Sequence, residues 1–145
     1  MVAVFGKLSI IKFKGGITMI KFYNGTPHPI NIITNAVYDT DIRKYVVADS
    51  AQPQIAASIP SNGMLSATII TVEDEPINGI PVYSKQITGC DPLPSGYDIY
   101  IVSALYVSAA RACGMDTSKL YTVADPVYSA DGRTVLGSRG ICPAF

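Results

Sequence analysis

His28 is the only imidazole in the chain, set between Pro27 and Pro29 in "FYNGTPHPINII" (22–33). A histidine there could act as a general base, touch a ligand or shape a turn. Base catalysis needs a partner to tune the ring and a nucleophile to serve. Ser103, in "DIYIVSALYVSAARACG" (98–114), sits where a strand passes into a helix, and a triad built on it would have to use His28. No GxSxG, HExxH, Walker A or GxGxxG pattern is present. The two prolines fix their own φ at about −65° and disfavour the α region at Thr26 and His28. His28 therefore reads as an extended residue at a strand entrance, shaping a turn or an interface.

Equipment for holding a ligand is better represented than equipment for breaking one. The four arginines are Arg43, Arg111, Arg133 and Arg139. Arg111 lies in an alanine-rich helix, Arg133 follows Asp131-Gly132, and Arg139 sits in "GSRG" (137–140). The planar guanidinium fork matches two phosphate oxygens at once, so Arg111 with Arg133 or Arg139 could make an anion site. Alternatively, Arg111 is an exposed helix residue with its stem on apolar surface. Nine tyrosines against four phenylalanines and no tryptophan suit stacking on a flat ring with a hydroxyl to spare. Tyr83, beside the Asn78-Gly79 turn, and Tyr106, on the helix, are the candidates; half-buried strand positions account equally well for most of the others. Glu73-Asp74-Glu75 could bind a cation but reads better as a solvated strand end.

These side chains need elements to place them. "MIKFYN" (19–24), "PINIITN" (29–35), "KYVVAD" (44–49) and "LSATIITVED" (65–74) read as strands, and "AQPQIAASIPSNGM" (51–64) as mostly loop. Asn78-Gly79 is a two-residue hairpin signal, with "PVYSKQITG" as the returning strand. After a rigid loop, "CDPLPSG" (90–96), a buried strand "DIYIV" feeds a helix of about three turns, with Ser103 capping its first amides and Gly114 at C′. "KLYTVADPVYSADGRTVLGSRGI" predicts two strands joined at Asp131-Gly132. The expected class is α+β, a mostly antiparallel sheet with one principal helix over about 103–113 in the C-terminal half.

At 145 residues the chain has the length of one domain. Charged residues are 15% of it, against roughly 25% in soluble domains. Mean hydropathy is +0.29, yet no apolar run approaches the ~20 residues of a membrane span. Apolar surface buried between copies reconciles these values, so a homo-oligomer is expected. Zero formal charge leaves no electrostatic footprint for a long nucleic acid. A small anion needs only two or three placed cations. Cys90, Cys113 and Cys142 are far apart in sequence, odd in number and outside CxxC spacing, which argues against a disulfide framework and a zinc site. One histidine and no cysteine pair argue against a structural metal, and no cofactor is called for. The compartment reads as reducing cytosol.

Residues 1–18, "MVAVFGKLSIIKFKGGIT", carry three lysines and no acid, interleaved so that no signal-peptide core forms. Lys14-Gly15-Gly16 can be encoded by AAA-GGA-GGN, a ribosome-binding sequence, with Met19 at a suitable spacing. One reading makes residues 1–18 a translated leader before a single α+β ligand-binding domain over 19–145. The other is an extra strand, since Val2, Val4, Leu8 and Ile10 roughly alternate.

"NGTPHPINI", "IYIVSALYVSAAR" and "YTVADPVYSADGRTVLGSRG" together make Met19–Phe145 similar to the phage Thoeris anti-defence proteins that act as signal sponges. The resemblance implies non-enzymatic sequestration of a cyclic ADP-ribose isomer, glycocyclic ADP-ribose among them, made by bacterial TIR-domain enzymes. It implies action in the cytoplasm of the infected host, with the ligand held at interfaces of a homo-oligomer. Arginines of neighbouring chains would hold the pyrophosphate and aromatic rings would face the base. Some such proteins also hold cyclic oligonucleotides at a separate site. Arg111 matches the helix arginine, Arg133 and Arg139 compete for the carboxy-terminal one, and Tyr83 takes the place of the stacking ring. Tyr106 and Ser103 remain candidate contacts. Two further classes stay open: a hydrolase of a cyclic nucleotide using His28 or the acidic cluster, and a ligand-free phage structural or assembly protein.

Overall fold

The computed structural model describes residues 2–5, 8–13, 16–48 and 50–144, with side chains from residue 19 onward. Strands β1 (Val2–Phe5), β2 (Leu8–Phe13) and β3 (Gly16–Asn24) pair antiparallel in succession. Four short strands follow: β4 (Ile30–Ile33), β5 (Val37–Asp39), β6 (Lys44–Val46) and β7 (Ile55–Ile59). Two long ones, β8 (Ala67–Ile77) and β9 (Ile80–Cys90), pair only with each other. The short β10 (Ile99–Ile101) then enters helix α1 (Ala104–Ala112), and β11 (Leu120–Tyr128) and β12 (Val135–Pro143) close the chain as a hairpin.

Apart from the β8–β9 ribbon, all strands belong to one sheet ordered β1-β2-β3-β10-β11-β12-β4-β7, with β6 on β11 and β5 on β6. The class is α+β and the sheet mostly antiparallel, as its composition of runs and turns predicts. Besides the parallel contacts of β6 with β11 and of β4 with β12, the exception is β10, lying parallel to both β3 and β11. Its continuous apolar run is what a strand covered on both faces requires, and Ile101 and Val102 are indeed buried. Side-chain alternation sorts the centre of the sheet into two cores. Tyr23, Tyr100, Val102 and Leu120 pack under Tyr106, Val107 and Ala110 of α1. Phe22 and Ile101 join Ile30 and Ile59 in the second core. β1 and β7, at the two ends of the strand order, come together, so the sheet curls round on itself.

α1 is too short to be stable alone and is held by its caps and its packed face. Ser103, extended at φ −71° and ψ 157°, accepts the Tyr106 N–H through its hydroxyl at 3.1 Å. At the other end Met115 N–H donates to the Ala110 carbonyl and Gly114 N–H to that of Arg111, at 2.8 and 3.0 Å. This pattern is a Schellman closure, and it requires the positive φ of 73° that Gly114 supplies. Ala109 and Ala110 are fully buried, so the helix backbone comes close to the sheet.

The structure departs from the expected elements in two places. Residues 51–64 contain β7, an antiparallel partner of β4, within what reads as loop. Pro53 and Pro60 flank it, and an edge strand tolerates prolines that a central one does not. β5 is a three-residue strand that the sequence pattern does not announce. The Asn78-Gly79 hairpin is present, with positive φ at both residues (49° and 79°), as a type I′ turn demands. For the proposed leader, the described backbone of residues 2–18 runs as β1, β2 and the start of β3, while its side chains lie outside the described residues.

The "NGTPH" opening is organised by Asn24, which is fully buried. Its side-chain amide donates to the carbonyls of His28 and Ile59 at 2.9 and 3.0 Å. Its side-chain oxygen accepts from Thr26, from the N–H at 3.0 Å and the hydroxyl at 2.6 Å. Its backbone N–H donates to Asn62. His28 contributes a backbone carbonyl to this knot, and its ring is exposed.

Candidate functional site

Ala104, Val107, Ser108 and Arg111 recur at the three- and four-residue spacing of one helix face. With Thr122 of β11 and Pro143 and Ala144 at the end of the chain, they line a groove of about 320 Å³. Arg111 is exposed in the last turn of α1, where a cation complements the helix dipole. The ion pair formed among the described residues is Arg139 with Asp125, so no carboxylate there neutralises Arg111. The Ala110 and Arg111 carbonyls, already hydrogen-bonded in the Schellman closure, present less negative charge to an incoming anion. The groove thus offers an unspent fork, the Ser108 and Thr122 hydroxyls and an apolar floor.

The other candidates stand elsewhere. Tyr106 is fully buried, its hydroxyl donating to the Asp91 carbonyl at 2.5 Å. Removal from water, with Cys90 and Asp91 close by, pushes the phenol up to about 12. No ring face is left for stacking, so Tyr106 is a core residue and not a ligand contact. Ser103 spends an oxygen lone pair on the helix cap. His28 lines a different hollow of about 210 Å³ with Pro29, Asn31, Val123, Pro126 and Val135. Ser103 is not among its walls, so the fold does not bring Ser103 to His28 there.

Arg139 donates to Asp125 at 2.9 Å and lies over the Tyr45 ring, 4.2 Å from its centroid. Arg133 is exposed at the β11–β12 turn, its backbone N–H held by Asp131 at 3.0 Å. The Ser129 hydroxyl and that N–H hold the Asp131 carboxyl below the usual range, which fixes the turn that presents Arg133. Arg111 and Arg133 flank opposite ends of the hairpin. Six residues of β11 separate Thr122 in the groove from Tyr128 beside the turn, or ~20 Å at strand rise. No single copy of the chain converges both on one phosphate.

Tyr83 is 58% exposed on β9, opposite Glu73. It is seven residues from Cys90, the end of the ribbon that packs by α1, or ~23 Å along the strand. The ribbon also exposes Ile70, Ile77 and Ile80. Such a two-stranded arm is marginal in isolation. In its acidic cluster Asp74 accepts from the Ser84 hydroxyl. Among the described residues no three His, Cys, Asp or Glu side chains gather as a metal would require.

A further concavity of about 320 Å³, bounded by Phe22, Ile32, Ala57, Ile59 and Ile141, has no charged side chain to orient a phosphate. No described helix is long and apolar enough to cross a membrane. The Asn24 knot is what sequence reasoning missed: Asn-Gly signals a turn, but not that its asparagine is the buried hub. No protein-family model, curated protein or solved structure matches the chain.

Proposed function

We propose that the protein sequesters, without cleaving it, a TIR-derived cyclic ADP-ribose signal, glycocyclic ADP-ribose in particular, and so silences Thoeris defence. The observation that carries this reading is Arg111, an uncompensated fork on a rigidly capped helix, beside two hydroxyls in an apolar-floored groove. Arginine on such a scaffold can orient a pyrophosphate in two-point fashion. The motifs that resemble the sponge family agree with it.

The ligand site is completed by a second copy. A groove of about 320 Å³ is at the small end of the roughly 300–1,000 Å³ that encloses a drug-sized ligand. The ribbon ring of Tyr83 stands ~23 Å from its own helix by strand rise, and Arg133 is remote from its own Arg111. A partner's ribbon reaching across would supply the stacking ring and bury Ile70, Ile77 and Ile80, which the ribbon leaves exposed. The low charge of the chain supports the same homo-oligomer.

The test is retention followed by release. The protein is mixed with glycocyclic ADP-ribose, desalted, heat-denatured, and the freed nucleotide is analysed. Intact ligand in stoichiometric amount is expected. A linearised product would make the protein a hydrolase, and no retained nucleotide would remove the sponge reading.

A further inference from the structure

We propose that Asn78, at the tip of the β8–β9 ribbon, is a spontaneous deamidation site that converts the turn of this arm into an isoaspartyl one with age. The chain contains three Asn-Gly pairs, Asn24-Gly25, Asn62-Gly63 and Asn78-Gly79. Glycine lacks the Cβ that shields a backbone amide, so each pair has the chemistry in its sequence. The fold withdraws two of them. Asn24 is fully buried with its amide spent on two carbonyls, and the Gly25 N–H donates to the Ile101 carbonyl at 2.8 Å. The Asn62 side-chain oxygen accepts the Asn24 N–H at 2.8 Å, and the Gly63 N–H donates to the Ser61 hydroxyl at 3.3 Å.

Asn78-Gly79 has neither restraint. Both residues are exposed, and nothing lies within 4 Å of where a Gly79 Cβ would stand. Among the described residues the ribbon's side-chain hydrogen bonds run from Ser84 to Asp74 and from Thr88 to the Thr68 carbonyl, away from the turn. The ladder closes the turn at Ile77 and Ile80, which leaves the Gly79 N–H outside it. Pro76 and Pro81 flank that last pair and give the ladder no donor. The register is irregular between Asp74 and Ile77. Ile77 and Ile80 are 63% and 65% exposed, so little packing holds the tip shut, and it opens without disturbing the rest of the fold.

In the open tip the Gly79 nitrogen attacks the Asn78 Cγ. The N–Cγ bond forms, the Cγ–Nδ2 bond breaks, and ammonia leaves with the Gly79 proton. Water then opens the cyclic imide at either carbonyl, giving aspartate or isoaspartate at this position. Both add a negative charge near Glu73, Asp74 and Glu75. Isoaspartate also lengthens the main chain by a methylene, which a two-residue type I′ turn does not accommodate.

This inference stands on the turn alone and does not depend on the nucleotide reading. The purified full chain and its Asn78→Gly variant, whose Gly-Gly pair suits the same turn, are held for weeks at physiological temperature in mildly alkaline buffer. A second wild-type sample is held in urea, where all three pairs are unfolded. Trypsin with a glutamate-specific protease places the three pairs in separate peptides, 22–43, 45–73 and 74–85. In the folded wild type, 74–85 is expected to gain about one dalton and to resolve into aspartate and isoaspartate forms. It should do so at least tenfold faster than 22–43 or 45–73. In urea the three should react within a few-fold of one another, and in Asn78→Gly the 74–85 peptide should keep its mass. Deamidation of Asn24 or Asn62 ahead of Asn78 in the folded chain would overturn the proposal. So would a 74–85 peptide that reacts in urea but keeps its amide when folded.

Discussion

Arg139 is committed to Asp125, with its guanidinium 2.9 Å from the carboxylate and lying over the Tyr45 ring. Arg133, on the same hairpin, is presented outward by the Asp131 turn. Of the two carboxy-terminal arginines, Arg133 is therefore the one with a free fork. Arg139→Ala should leave glycocyclic ADP-ribose affinity unchanged and cost less than about 1 kcal/mol, because both partners are roughly half exposed. Arg133→Ala should weaken the ligand at least tenfold at unchanged stability. Calorimetric titration of the two variants checks the assignment, and the reverse ranking would transfer the role to Arg139.

Asn24 and His28 divide the work of the most recognisable motif. Asn24→Ala would take the side-chain partner from the Ile59 carbonyl and the Thr26 N–H and leave the His28 carbonyl only the Thr26 hydroxyl. Buried unpaired groups cost about 1–3 kcal/mol each, so a loss of about 3 kcal/mol or more is expected in urea unfolding. His28→Ala keeps the carbonyl that Asn24 uses and should shift stability by at most about 0.5 kcal/mol. It should also leave ligand retention intact. Loss of retention in that variant would return the histidine to the site.

Tyr106 ties stability to alkaline pH. The phenol is held neutral in the fold, at about 12, against about 10 in an unfolded chain. A folded value above the unfolded one contributes stability that is complete below pH ~10 and lost as pH rises through ~12. Tyr106→Phe should cost about 1–2 kcal/mol at neutral pH, since the Asp91 carbonyl loses its donor. The stability gap between the two proteins should then narrow as pH climbs over that window. A gap constant from pH 8 to 12 would contradict this account of the buried hydroxyl.

Much of the fold is legible in the sequence because its signals are local. Asn78-Gly79 and Asp131-Gly132 fix the two hairpins, while Ser103 and Gly114 bound α1 to within a residue. What escapes is decided by partners distant in the chain. β7 is a strand because β4 lies beside it, despite the prolines at its ends. The parallel seat of β10 between β3 and β11 depends on pairings that no periodicity reports. The same holds for the site. Arg111 is conspicuous among alanines, but the spent state of Arg139 depends on Asp125 across the hairpin. Tyr106 and Tyr83 look alike in sequence, and only packing separates the core ring from the exposed one.

Arg111 carries the central claim, and its replacement tests that claim most directly. Glycocyclic ADP-ribose should bind the wild-type protein with nanomolar affinity, about −12 kcal/mol. Arg111→Ala should bind at least a hundredfold more weakly with an unchanged melting temperature, since the side chain is exposed and without an ion-pair partner among the described residues. Arg111→Lys should recover only part of the loss, because a point charge cannot match the two-point fork. Undiminished affinity in Arg111→Ala would contradict the account and place the ligand, if it binds at all, away from the α1 groove.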